Sequence, residues 1–115
     1  MPPADKNLIL DKLAIACNRA THLQAVCARL GEVEAAAAAA RRRERLRLEL
    51  DNLLRNYYGL WQGDLQALRQ TLDAANKTLD GYLRDIEQRI QVTETIAKAG
   101  VVIDGAISIA AKLAG

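Results

Sequence analysis

Phenylalanine is absent from this chain, and one Trp and three Tyr make up its whole aromatic content of 3%. A core built this way draws its volume from Leu, Ile and Ala, the composition of packed helices. Proline occurs only at Pro2 and Pro3, so nothing of that kind interrupts a helix further on. No β-branched run occurs before the C-terminal end, which removes the usual makings of strands. Serine is represented by Ser108 alone and histidine by His22 alone, and there is no glycine-rich phosphate loop and no paired metal motif. With no nucleophile, base and orienting acid at a telling spacing, the expectation is a protein that is not an enzyme and needs no cofactor.

Two further absences concern location and partners. No run approaches the roughly 18 apolar residues of a spanning helix, and the N-terminal segment lacks the basic, apolar and small-residue parts of a signal peptide. The expectation is cytoplasmic synthesis without a signal peptide, any export following a non-Sec route. The net charge of +2 comes from 16 basic and 14 acidic residues that mostly alternate, which favours no polyanionic partner.

What is present is hydrophobic periodicity. Ile9, Leu13, Ala16, Ala20, Leu23, Cys27 and Leu30 follow steps of four and three, the spacing of a coiled-coil seam. The pattern weakens through Ala35 to Ala40 and resumes in a shifted frame at Leu46, Leu50, Leu53, Tyr57 and Leu60. A second series runs through Leu65, Leu68, Leu72, Ala75, Leu79, Tyr82 and Ile86, then on through Thr93, Ile96, Gly100, Ile103, Ile107 and Ala110. Between the two series lies Tyr58-Gly59-Leu60-Trp61-Gln62-Gly63-Asp64, with two glycines to turn the chain and Asp64 to cap a new helix.

The chain therefore reads as one all-α domain over 1–115, a long antiparallel hairpin with arms at about 4–58 and about 64–114 and a turn at about 59–63. An isolated glycine costs a helix only about 1 kcal/mol, so the first arm is expected to run through Gly31 unbroken. Residue k then faces roughly residue 122 minus k, which sets Tyr82 and Ile86 against the alanine run and Gly100 and Gly105 against His22 and Cys17. Such a hairpin, some 80 Å long, buries one stripe of each helix. It is expected to become a four-helix bundle by pairing with a second copy or a partner; the alternative is that the arms break near Gly31 and Gly100 and fold back within one chain.

Helix-Trp61-Gln62-Gly63-helix resembles the WXG family of small helical hairpins exported by type VII secretion systems. The resemblance implies a dimeric four-helix bundle acting as a secreted partner or adaptor, with Trp61 and Gly63 shaping the turn and an exposed Trp61 contributing to a partner surface. The first arm is longer than the family's first helix. The family's C-terminal export signal, a Tyr with an acid four places on, is not matched at Tyr82, where Ile86 takes the fourth place and Asp85 comes one early.

Three other constellations bear on function. Arg41, Arg42, Arg43, Arg45 and Arg47 form a basic cluster, but Glu44 interrupts it, Arg45–Glu49 and Arg47–Asp51 are helical i, i+4 pairs, and no aromatic interleaves it, so nucleic acid is disfavoured. Cys17, His22 and Cys27 fall on different faces of one helix and are read as structural thiols and a partly buried histidine, with no metal. The segment from Ile96 to Ala114 is apolar around most of its circumference and has three readings: bundle core, docking helix, or membrane-inserting segment.

The expected function is thus a helical interaction and assembly protein, in its leading version a partner or adaptor of a bacterial secretion or toxin system. Its partner is a protein or a second copy, a dimer being favoured. The alternatives are a membrane-active protein using residues 96–114 and an immunity or antitoxin protein that binds a cognate toxin. The candidate protein-binding residues are Tyr57, Leu60, Trp61, Gly63, Val101, Ile103, Ile107 and Leu113. No small-molecule substrate is evident.

Overall fold

The computed structural model describes residues 3–115; Pro2, read as part of the helix start, lies outside them. The described residues form an all-α four-helix bundle of α1 (Pro3–Arg29), α2 (Val33–Arg55), α3 (Leu65–Glu87) and α4 (Val92–Ala114). All four helices come from one chain, because each expected arm is itself a hairpin. The bundle is 44 × 21 × 16 Å, about half the length of the extended hairpin that the periodicity suggests.

Gly31 explains the first break, just after Arg29. Gly31 adopts φ +77°, Glu32 N donates to Cys27 O at 2.9 Å, and Gly31 N donates to Ala28 O at 3.2 Å. This is a Schellman turn, in which a left-handed residue closes two helix carbonyls that would otherwise lack donors. Carried inside an unbroken helix, the expected arrangement, this glycine would cost about 1 kcal/mol. Its value as a terminator, together with the second apolar stripe that a fold-back buries, outweighs that cost.

The second break falls at 88–91 and not at Gly100. Arg89, at φ +61°, takes the left-handed place, with Ile90 N donating to Asp85 O at 2.8 Å and Arg89 N to Ile86 O at 3.0 Å. Gln91 at φ +43° then stands at the N-cap of α4. Gly100 sits in mid-helix, where the Arg42 guanidinium lies over it; a Cβ there would stand 2.9 Å from Arg42 Cζ.

The two hairpins lie side by side. Lys12 Nζ is 2.7 Å from Asp73 Oδ1, Arg19 bonds Asp80, His22 Nε2 is 2.5 Å from Glu87 Oε1, and Arg42 Nε is 2.9 Å from Asp104 Oδ1. These pairs join residues 61 to 65 positions apart in ascending order, so α1 runs parallel to α3 and α2 to α4. The antiparallel facing of k with 122 minus k is replaced by this parallel offset. α2 and α3 do not touch, whereas α1 and α4 meet across the centre. Around the bundle the order is α1, α2, α4, α3, and the connection over residues 56–64 must cross one end on the diagonal.

The seams fill the interior. Ile9, Leu13, Ala16, Ala20, Leu23, Cys27, Leu46, Leu50, Leu53, Leu65, Leu72, Leu79, Ile86, Ile103, Ile107 and Ala110 are buried together with Trp61 and Leu113. Asn76 breaks the apolar series on α3. Its Nδ2 donates to Lys12 O at 3.0 Å and its Oδ1 has no hydrogen-bond partner among the described residues. A buried amide of this kind holds one register between α1 and α3 at some expense in stability.

Candidate functional site

The crossover loop is the largest irregular segment of the described chain, and its backbone is clamped from three directions. Trp61 is buried beneath it, 2% exposed, and its Nε1 donates to Asn56 O at 2.9 Å. Burying an indole is favourable only when the N–H finds an acceptor, and the chain supplies one five residues earlier. Gln62 N donates to Leu113 O at 3.0 Å, tying the loop to the end of α4. Lys6, only 7% exposed, reaches from the first turns of α1 and donates to Tyr57 O and Gly59 O, each at 2.6 Å. Its ammonium also stands 5.1 Å from the Trp61 ring centroid and 5.7 Å from that of Tyr57. A buried cation needs such company: two carbonyl dipoles and two aromatic faces replace its water.

Local sequence makes the turn. Gly63 has φ +91°, and Asp64 caps α3 by accepting from Ala67 N at 3.2 Å. Tyr57 is half-buried, its hydroxyl donating to Asn7 Oδ1 at 2.7 Å, and its ring packs edge-on to Tyr58 at 5.1 Å between centroids. On this fixed frame Tyr58 is 97% and Leu60 76% exposed. Beside the loop, a mainly apolar depression of about 280 Å³ opens between the start of α3 and the end of α4, lined by Gly63, Ala67, Leu68 and Ile109 with Lys112 at its rim.

The candidate binding residues divide accordingly. Tyr57, Leu60, Trp61 and Gly63 do come together in this loop, and Leu113 meets it through its backbone carbonyl. Trp61 shapes the loop from inside and, being buried, offers no exposed surface. Ile103, Ile107 and Leu113 are core residues whose side chains face the other helices, because the periodicity that marked them as apolar also turns them inward. Val101 is exposed but lies about three and a half turns from the end of α4, far from the loop. The segment 96–114 is thus core on one side.

Lys6 and Tyr58 were missed. Lys6 falls three positions before Ile9, on the seam itself, and a cation in a seam position is a signal that could have been read. Tyr58 carried no signal, since its exposure depends on how the loop folds.

The other constellations stay apart. Cys17 and Cys27 are buried free thiols, and His22 is exposed against Glu87 and not partly buried. Burial pushes both thiols up; at Cys17 Arg47 pulls the other way, Asp51 adds to the rise and Arg43 opposes it, while at Cys27 Glu32 adds to the rise. No group of three or more His, Cys, Asp or Glu able to hold a metal ion occurs among the described residues, and no helix is long and apolar enough to cross a membrane. Comparison of the chain with protein-family models, with curated proteins and with solved structures finds no match.

Proposed function

We propose that this chain is a non-enzymatic protein-binding bundle that presents its crossover loop to a partner. One observation carries the reading: Tyr58 and Leu60 are 97% and 76% exposed on a backbone that Lys6, Trp61 and Gln62 hold in place. Large apolar side chains on a pre-organised loop lose little entropy on docking and make effective anchors. The more specific version, a partner or adaptor of a bacterial secretion or toxin system, draws support from the likeness of Trp61-Gln62-Gly63 to the WXG turn. The membrane-active alternative requires the bundle to open, because Ile103, Ile107 and Leu113 are buried between helices.

The test is affinity capture from the source cells with the wild-type chain and with Tyr58→Ala/Leu60→Ala, both checked for helicity. The reading expects a discrete protein whose affinity falls at least about tenfold in the double variant. Light scattering on the same pair separates a second copy from a foreign partner: a dimer that the double variant makes monomeric is self-association through the loop. A chain that stays monomeric and captures the same proteins with and without Tyr58 and Leu60 would remove the loop as a binding surface.

A further inference from the structure

Away from the loop, one flank of the bundle combines shape and charge. α1 presents Ala14, Asn18, Thr21 and Ala25 to solvent at steps of four, three and four. Beside this low ridge, Asn18 and Thr21 of α1 and Arg43, Arg47 and Leu48 of α2 line a groove of about 500 Å³ floored by Cys17. Leu48 is 61% exposed on the groove wall. Arg43 has no ion-pair partner among the described residues, and Arg47 has only a 3.5 Å approach to Asp51 with its own side chain 70% exposed. Lys12, Arg19 and Arg42, by contrast, each reach a carboxylate on another helix.

Glu44, which also lines the groove, decides what kind of anion fits. A uniform polyanion such as a nucleic-acid backbone or an anionic membrane would meet Glu44 and Asp51 along with the arginines, and its gain from Arg43 and Arg47 would be opposed. A helix does not have this difficulty, because it places charges of both signs at chosen positions. Arg43 and Arg47 are one turn apart, so carboxylates one turn apart on a facing helix match them, and a basic residue between matches Glu44. The small side chains of α1 let such a helix settle close to the bundle, with an apolar residue against Leu48 and the arginine stems.

We propose that the groove between α1 and α2 is a docking site for an amphipathic helix of a partner protein, whose apolar stripe is flanked by carboxylates one turn apart that engage Arg43 and Arg47. The proposal shares the view of the chain as a binding module but not its dependence on the crossover loop.

The test uses two synthetic helical peptides with the same leucine stripe, one flanked by glutamates spaced one turn apart and one by lysines at those positions. Their binding to the whole chain is followed by fluorescence anisotropy and by the rate at which Cys17 is alkylated. The glutamate peptide is expected to bind at least about tenfold more tightly than the lysine peptide and to slow alkylation. Arg43→Glu/Arg47→Glu, at exposed or half-buried sites, is expected to reverse that preference. Tyr58→Ala/Leu60→Ala is expected to leave it unchanged, so failure of the loop reading and failure of this one are distinguishable. Equal binding of the two peptides, or an unchanged preference after charge reversal, would overturn the proposal. So would binding of anionic vesicles or oligonucleotides through Arg43 and Arg47 where the glutamate peptide does not bind.

Discussion

The two ends of the bundle solve the same problem, reversing or passing on a helix, by different means. At one end two short turns do it, Gly31 and Arg89 each closing a helix by left-handed backbone and backbone hydrogen bonds alone. At the other, a longer connection crosses from α2 to α3 over the core and is held mainly by side chains, the Trp61 ring below and the Lys6 ammonium from the side, with one backbone bond from Gln62 N to Leu113 O beside them. Backbone closure depends on φ and is local. Closure of the crossover draws on both ends of the sequence, the Lys6 side chain and the Leu113 carbonyl, so it couples the loop to the whole fold and leaves Tyr58 and Leu60 free to face outward.

If that contrast is right, the largest effect belongs to the plug. Trp61→Ala removes a buried indole that nothing else can replace and should destabilise the chain by about 3–5 kcal/mol, read as a lower denaturant midpoint. A loss below about 1 kcal/mol would mean that the loop is not closed by its core contact. Next comes the cation. Lys6→Met keeps the aliphatic stem but leaves Tyr57 O and Gly59 O without their donor, which should cost about 1–3 kcal/mol. The same change should move Trp61 emission to longer wavelength as water reaches the ring; unchanged emission would show that the lysine does not hold the loop.

At the opposite end the effects should be smaller and of both signs. Gly31→Ala meets no neighbour within 4 Å, so its penalty is the left-handed backbone alone. That strain of about 1–2 kcal/mol is partly offset by a less flexible unfolded chain, leaving about 1 kcal/mol of destabilisation by thermal melting. Arg89→Gly runs the argument in reverse: strain is relieved, unfolded entropy is gained, and the net should be stabilising by less than about 1 kcal/mol. A destabilised Arg89→Gly would mean that the arginine side chain, and not its backbone, secures that turn.

The contrast also separates what the sequence displays from what it conceals. The seam residues from Ile9 to Cys27, and Leu46, Leu50 and Leu53 on α2, are legible because burial imposes a period that survives any choice of partner helix. The choice of partner is not legible in that period: the same seam suits a long hairpin or a folded-back one. Gly31 held the deciding information, but only as a terminator, and Arg89 held none, since nothing about an arginine between Gln88 and Ile90 announces φ +61°. Within the candidate site, Trp61, Gly63 and Asp64 were visible as turn chemistry. Whether the ring pointed in or out depended on Lys6 and Leu113, about fifty residues away on either side.

Between the two ends lies the seam that joins the hairpins, and its charges offer the mildest way to separate end effects from lateral ones. Asp73 is held below the ordinary carboxylate value by the Lys12 hydrogen bond first and the Lys77 hydrogen bond next, with their charges adding to both. A carboxyl whose folded value is depressed contributes stability that is present above its unfolded value, near 4, and is lost as pH falls through the lower folded value. Asp73→Asn should therefore lower the thermal midpoint slightly at neutral pH, and the gap to the wild type should close as the pH drops below about 4. Because the Asp73 side chain is still 41% accessible to solvent, added salt should shrink the same gap at neutral pH. Trp61→Ala, whose loss is one of packing, should keep most of its deficit under both conditions. A gap at Asp73 that survives acid and salt would show that the α1–α3 seam, like the plugged end, is held by side-chain fit and not by charge.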